Sequence, residues 1–294
     1  GDEHRLARAL DVALRDAASG DMLGMQGLVP RRFVQGQARL SAGTIADFVV
    51  VPAHRSLGPA LKLSKASLDA GRETFDFLFG FPNRKSEPVL KRAGVSRLGV
   101  MQRYVKVLRS RALLAQRLGT RLRGPLAAAA SALLAPAADA GLALWDALLR
   151  LTLAPGWRAA EVLAFADIPD AVWNERAIDG CVVGERSVQM LQWRFAPYRD
   201  AGWHLTVLSC RGRPCGHAVW RRTGTAAEVQ DFFCSRLPAD APAALATLVG
   251  HLRGKGVDRA VFTCLAPEPL AAALRRCGFV STAEHPVYHV PGRS

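Results

Sequence analysis

Acidic side chains are scarce beside the basic ones: 25 Asp and Glu face 39 Lys and Arg, leaving the 294-residue chain at a formal +14. Such a surface suits an anionic partner, be it nucleic acid, an acidic lipid face or a polyphosphate cofactor, although a GC-rich coding bias toward Arg gives the same excess. Cysteine is absent before Cys181, and the six present (Cys181, Cys210, Cys215, Cys234, Cys264, Cys277) form no Cys-x-x-Cys pair. Cys210 and Cys215 flank a turn with His217 close by, yet no fourth ligand stands at zinc spacing. Neither a disulfide scaffold nor a metal is expected. Gly-x-Gly-x-x-Gly and Gly-Lys-Ser/Thr are both missing, which excludes the dinucleotide and nucleoside-triphosphate loops those motifs build. Uncharged apolar runs stop short of ~18 residues, and no basic-then-apolar leader pattern opens the chain. These absences predict a soluble, cytoplasmic protein with reduced thiols.

What is present divides into three zones, 1–107, 108–155 and 156–294. In the first, Val12–Leu14 and Met22–Phe33 flank the turn-forming Ala18-Ser-Gly-Asp21, as in a β-hairpin. Ile45–Val51 is a β-branched run stopped by Pro52, hence a buried strand. Leu57, Ala60, Leu61 and Leu68 then take helical spacing. Phe75–Phe81 reads as a second buried strand ended by Pro82, and a helix over Ser86–Ala93 stops at Gly94, a residue suited to a C-terminal cap. Strand, helix, strand, helix implies an α/β fold, with mixed sheets and crossover helices.

The last zone repeats that order. Shifted by 184, Asp47 and Phe48 fall on Asp231 and Phe232, Ala60 and Leu61 on Ala244 and Leu245, and Leu68 on Leu252. The same shift sets Leu90 on Leu274, Arg92 on Arg276, Gly94 on Gly278 and Tyr104 on Tyr288. A shift of 192 sets Gly20 and Gly24 on Gly212 and Gly216. Two copies of one fold are expected.

Chemistry concentrates after the first β-branched run, where His54-Arg-Ser-Leu-Gly58-Pro-Ala60 opens into a helix. A bend at a helix N-terminus presents unpaired N–H groups, and the helix dipole favours an anion there. Gly58 permits close backbone approach and Arg55 adds charge, so the loop has what a pyrophosphate needs. Here the sequence resembles the GNAT acyl-CoA N-acyltransferase superfamily. Its phosphate loop, Arg/Gln-x-x-Gly-x-Gly/Ala after Val-x-Pro, matches Arg55-x-x-Gly58-x-Ala60, and its second block is met by Asn83, Ser86 and Gly94-Val95. Phe75–Asn83, Arg103-Tyr-Val105, Arg186 and Leu191–Phe195 are similar to a tandem-domain bacterial subgroup found near envelope-polysaccharide genes.

The resemblance implies two tandem GNAT-like units joined by a helical linker, with acetyl-CoA or another acyl-CoA as co-substrate and no metal. Backbone groups of Phe48, Val49, Val50 and Val51 would pair with the pantetheine arm. The loop of Arg55, Ser56, Leu57, Gly58, Pro59 and Ala60 would hold the pyrophosphate through its N–H groups, with Asn83 and Ser86 on the opposite wall. The implied reaction moves an acyl group to an amine, on an amino sugar or an envelope-precursor intermediate. Asp47 is the best-placed base. The family's usual acid, a Tyr seven residues after the Asn, is replaced by Leu90, which leaves Tyr104 or water for that role. A non-catalytic acyl-CoA-binding or scaffold protein is the alternative. Against the family pattern the first unit begins at its hairpin, without the opening strand and helices.

In the second copy the loop reads Leu237-Pro-Ala-Asp-Ala-Pro242-Ala, without Arg or Gly, and Pro242 offers no N–H. Acyl-CoA is therefore expected in the first unit only. Between the units lie Arg109, Arg111, Arg117, Arg121 and Arg123, then a stretch uncharged from Gly124 to Ala138. A helical hairpin packing the units together, broken at Pro125 and Pro136, is the favoured expectation. Peripheral membrane contact is the less favoured one. Nucleic acid is not expected, since no aromatic-interleaved basic motif accompanies the arginines.

Overall fold

The computed structural model describes residues 9–122, 124–177, 180–197 and 202–292; Arg123 lies outside them. In chain order the strands are β1 (Leu10–Arg15), β2 (Met22–Gln35), β3 (Ala38–Val50), β4 (Phe77–Gly80), β5 (Ser96–Val107), β6 (Trp157–Val162), β7 (Val182–Gly184), β8 (Trp203–Cys210), β9 (Arg213–Thr223), β10 (Ala226–Cys234), β11 (Arg259–Cys264) and β12 (Val280–Pro291). The helices are α1 (Leu57–Thr74), α2 (Glu87–Arg92), α3 (Arg111–Gly119), α4 (Gly124–Leu153), α5 (Ala171–Asn174), α6 (Val188–Phe195), α7 (Ala241–Gly254) and α8 (Glu268–Arg276). Two compact units result: residues 1–101 with 179–185 and 284–294, and residues 102–178 with 186–283.

In the first unit β1, β2 and β3 form an antiparallel meander, and β4 adds to β3 in parallel after the α1 crossover. Tyr288–Pro291 of β12 then pairs with β4, and β7 pairs with the end of β2. One stripe of α1 (Ala60, Leu63, Ser64, Ser67, Leu68, Gly71) is buried against the sheet at the three-and-four spacing of a helix face. Gly71 permits that approach, because a Cβ there would stand 2.7 Å from Leu28 and 2.8 Å from Leu78. Leu28, Leu68, Phe75, Leu78, Leu90, Tyr288 and Val290 make the core.

The second unit is built alike. Antiparallel β6, β8, β9 and β10 are followed by α7 and a parallel β11, on which Gln102–Val107 of β5 closes the sheet. The core joins Leu208, Trp220, Phe262 and Phe279 to the buried face of α7 and to Tyr104. The two units match in detail. Gly20 and Gly212 turn their hairpins at φ 75° and 82°, and Gly94 and Gly278 leave α2 and α8 at φ 92° and 82°. A Cβ on Gly24 would stand 2.7 Å from the Val49 carbonyl oxygen, and one on Gly216 2.7 Å from that of Phe233. Those two carbonyls are themselves 184 residues apart.

The middle zone of the sequence, 108–155, departs from expectation. Pro136 does not break α4, which runs for 30 residues. Residue 132, whose carbonyl Pro136 leaves without its N–H donor, is solvent-exposed, so water can serve it. Both α3 and α4 belong to the second unit, where α4 packs on α3 and α7.

Candidate active site

Parallel pairing between β3 and β4 runs from Ala42/Phe77 to Ile45/Gly80 and stops. Just beyond, β3 bulges: Ala46 opposes Gly27 and Val49 opposes Met25, so Asp47 and Phe48 together face Gln26. The extra residue is accommodated by Asp47 in the left-handed region, at φ 51°, a conformation Asp tolerates better than most side chains. A bulge bends its strand and leaves a backbone group outside the ladder. From that point β3 keeps β2 on one side and parts from β4 on the other. The second unit has the same break: β10 and β11 pair as far as Val229/Phe262, and β10 then bulges at Gln230.

Past the bulge Val49 is exposed, Phe48 half-buried, and Val50 buried with Ala60, Leu63 and Val89. Val51 donates its N–H to the Leu23 carbonyl, 2.9 Å. A short turn over Pro52–His54 leads to Ser56, the residue that precedes α1 and does not cap it with its side chain. The loop is more selective than its sequence suggests. Arg55 N–H is taken by the Pro52 carbonyl (3.3 Å), Ser56 N–H by that of His54 (2.7 Å), and Pro59 has none. In the first turn of α1 this leaves the N–H groups of Leu57 and Gly58 for an anion. Arg55 Nε donates to the Val50 carbonyl at 2.9 Å, which pins the guanidinium across the end of β3. Gly58 is exposed, and a Cβ there would meet no atom within 4 Å. Neither its packing nor its φ requires glycine, so any requirement must come from something bound.

Asn83 and Ser86 lie where β4 hands over to α2, and they bind each other. Asn83 Oδ1 accepts the N–H groups of Lys85 (2.9 Å) and Ser86 (3.0 Å), and the Ser86 hydroxyl accepts that of Asn83 (3.1 Å). Their first task is to start α2.

Asp47 is exposed, and its Oδ2 comes within 3.6 Å of where a Cβ on Gly27 would sit. Asp11 of β1 brings its Oδ1 to 3.1 Å of the same point. Two carboxylates thus flank Gly27 on the sheet face away from α1. Sequence reading passed over Asp11 because it is remote from the loop; the pairing of Asp11 with Gly27 across the β1–β2 hairpin was the available signal.

Tyr104 belongs to the second unit, 2% exposed, with its hydroxyl donating to Gln102 Oε1 at 2.5 Å and its pKa pushed up by burial. The tyrosine that belongs to the first unit's core is its repeat mate Tyr288, on β12 opposite Gly80, the last paired residue of β4. Its hydroxyl donates to Glu87 Oε1 at the start of α2 (2.5 Å), and Lys91 pairs with the same carboxylate at 2.7 Å. Leu90 lies in that core.

In the second unit Asp231 is buried and saturated: Arg186 Nε lies at 3.0 Å, Arg194 Nη1 at 2.8 Å and His217 Nε2 at 3.2 Å. Burial alone would push its carboxyl up, but Arg186, His217 and Arg194 together hold it well below the usual carboxylate range. Pro242 is the second residue of α7, where Gly58 stands in α1. Burial raises the thiols of Cys215, Cys264 and Cys277 to about 11, keeping them protonated.

No family model and no curated protein matches the sequence. Solved structures match its fold. A GCN5-related N-acetyltransferase from Anabaena variabilis superposes with TM-score 0.62 at 11% identity, covering 96% of this chain and 62% of that one. A conserved protein of unknown function from Enterococcus faecalis gives 0.60 at 13% identity, over 91% and 58%. A GCN5-related N-acetyltransferase from Kribbella flavida gives 0.54 at 13%, over 92% and 57%. At these identities the likeness is one of fold, and this chain spans about three fifths of the length of those structures.

Proposed function

We propose that this chain, whose fold is that of the GCN5-related N-acetyltransferases, transfers an acyl group from acyl-CoA to an amine at the first unit. One observation carries the reading: a parted, bulged strand pair and a helix N-terminus with two free N–H groups and an arginine sit in sequence on β3 and α1. The same break in the second unit runs into Pro242, so acyl-CoA is assigned to the first unit alone.

The co-substrate supplies a thioester, which an amine attacks to give the amide and free thiol. Leu57 and Gly58 N–H and the Arg55 guanidinium would hold the pyrophosphate, and what remains open on the edge of β3, the Phe48 backbone and the Val50 N–H, would pair with the pantetheine amides. An amine is cationic in water and must lose a proton before it attacks. Asp47 and Asp11, on the face away from α1, attract a cationic acceptor, and Asp47 takes the proton. Two carboxylates favour a basic amine, such as an amino sugar, over an acidic acceptor. Tyr288 is the proposed donor to the departing sulfur, a role that requires its hydroxyl to leave Glu87 Oε1. The reaction is assigned to the cytoplasm, where acyl-CoA is found.

The test is calorimetry with acetyl-CoA, followed by thiol release across a panel of amino sugars and diamines. Absence of heat, and of any shift in melting temperature, at millimolar acetyl-CoA would refute the assignment. Binding without turnover on any amine would favour the non-catalytic reading.

A further inference from the structure

Helix α4 carries two faces of opposite character. Ala127, Ser131, Ala135 and Asp146 are buried. Its acids point inward: Asp139 accepts the Ser110 N–H at 2.5 Å, and Asp146 pairs with Lys106 at 2.8 Å and Arg253 at 2.5 Å. The other face is apolar and open. Leu126 is 60% exposed, Leu133 81%, Leu144 62%, Leu148 49% and Leu151 74%. At about 100° per residue these five leucines fall within about 60° of one another. Ala130 and Ala137 fill the same arc, which holds no charged residue, and Leu134 and Trp145 widen it. At about 1.5 Å per residue the helix is roughly 45 Å long, and among the described residues it is the one long and apolar enough to cross a membrane.

We infer that this face of α4 lies on an anionic phospholipid bilayer, parallel to its surface. Crossing is opposed by the inner face: Asp139 and Asp146 tie α4 to β5, α7 and the segment before α3, and a spanning helix would have to abandon those buried pairs. A second copy of the chain fits less well. Leucine seams that pair helices are bordered by complementary charges that set the register, whereas this seam is bordered by Leu134, Trp145, Pro136, Ala143 and a single cation, Arg150. Charge complementarity selects the lipid. The adjoining α3 exposes Leu113 and, one turn on, Arg117; Arg111 and Arg121 are also exposed, and the whole chain is at +14. Apolar residues with neighbouring arginines make an interfacial helix, whose binding draws on both buried area and anionic headgroups.

The experiment is co-sedimentation of the full chain with vesicles of phosphatidylcholine alone and of phosphatidylcholine with 30% phosphatidylglycerol (roughly a moderately anionic leaflet), at low and at physiological salt. Binding is expected on the anionic vesicles and should weaken as salt rises. Leu133→Glu with Leu144→Glu should lower the bound fraction about tenfold or more, and Arg117→Glu with Arg121→Glu should lower it by a smaller factor. Those side chains are exposed, so melting temperature and acetyl-CoA affinity should stay unchanged. Sedimentation equilibrium without lipid is the second arm, with a monomer expected. Equal binding to both vesicle types, or no effect of the leucine variants, overturns the proposal. So does a dimer that those variants dissociate while vesicle binding is absent, which would make the seam a self-association surface.

Discussion

Gly58→Leu separates what the fold needs from what a ligand needs. In the free protein the position is exposed, has no positive φ, and offers an added side chain open space. Replacing a helical glycine removes backbone entropy from the unfolded state and should leave stability unchanged or raise it by up to about 1 kcal/mol. Against an anion the effect reverses. Two N–H groups, of Leu57 and Gly58, are free to meet a pyrophosphate, and hydrogen bonds to a charged group contribute about 1.5–3 kcal/mol each. A leucine side chain over that approach removes both, roughly 3 kcal/mol at the lower figure, or about 100-fold in Kd. Titration calorimetry with acetyl-CoA reads the affinity and a thermal melt reads the fold. Gly58→Ala should give an intermediate loss. Wild-type stoichiometry should be one, because Pro242 stands at the matching place in α7. Unchanged affinity in Gly58→Leu would refute the loop assignment, and two sites per chain would refute the reading of the second unit.

Asp47→Asn keeps a residue that tolerates the left-handed bulge conformation, so turnover should fall ~100-fold or more with acetyl-CoA affinity unchanged, as read by steady-state kinetics. Tyr288→Phe should lower kcat about tenfold or more with KM preserved; a lowered melting temperature with normal kcat would reduce the hydroxyl to a tie between β12 and α2. Asp231→Asn should destabilise the second unit by about 1–3 kcal/mol at neutral pH, since it removes the buried anion that His217 and two partly exposed arginines share. The folded pKa of Asp231 is depressed, so its stabilisation is fully present above the ordinary Asp value of 3.8 and is lost as pH falls below that toward the folded value. The gap in melting temperature between wild type and variant should therefore narrow below about pH 4.

Local structure was legible wherever a residue's own chemistry fixed it. The turn at Gly20, the strand stopped by Pro52, the start of α1 and the exit from α2 at Gly94 all stand where punctuation residues put them. The bulge was hidden, since nothing in Ala46-Asp-Phe-Val says that two residues oppose one. Strand membership was hidden as well. Chain proximity suggested Tyr104 as the acid beside Asp47, but the Gln102–Val107 stretch of β5 pairs with β11 and the end of β12 pairs with β4. A strand's partner is chosen by the pairing of whole sheets, which a local window cannot weigh. The count of free N–H groups in the loop failed for a related reason: Arg55 and Ser56 spend theirs on the Pro52–His54 turn, whose tightness the sequence does not announce.

Two aspartates at matching places in the repeat show how one scaffold supports different ends. Each follows the point where its strand parts from a parallel neighbour, so each backbone is equally suited to present a carboxylate at an opening. In the second unit α6 lies over that face and brings Arg194, while Arg186 arrives from just before it and His217 from β9. Those three fix Asp231 as a buried anion, and a carboxylate held that far below its ordinary range is a poor proton acceptor. Asp47 is instead exposed, and the side chain that shares the face of Gly27 with it is another carboxylate, Asp11. The loop chemistry divides the same way, with Gly58 and Arg55 beside the open aspartate and Pro242 beside the closed one. The proposed base and the proposed anion cradle therefore coincide in one unit and are both lost in the other, a correlation expected if they serve one reaction and unexplained if either is only a feature of the fold.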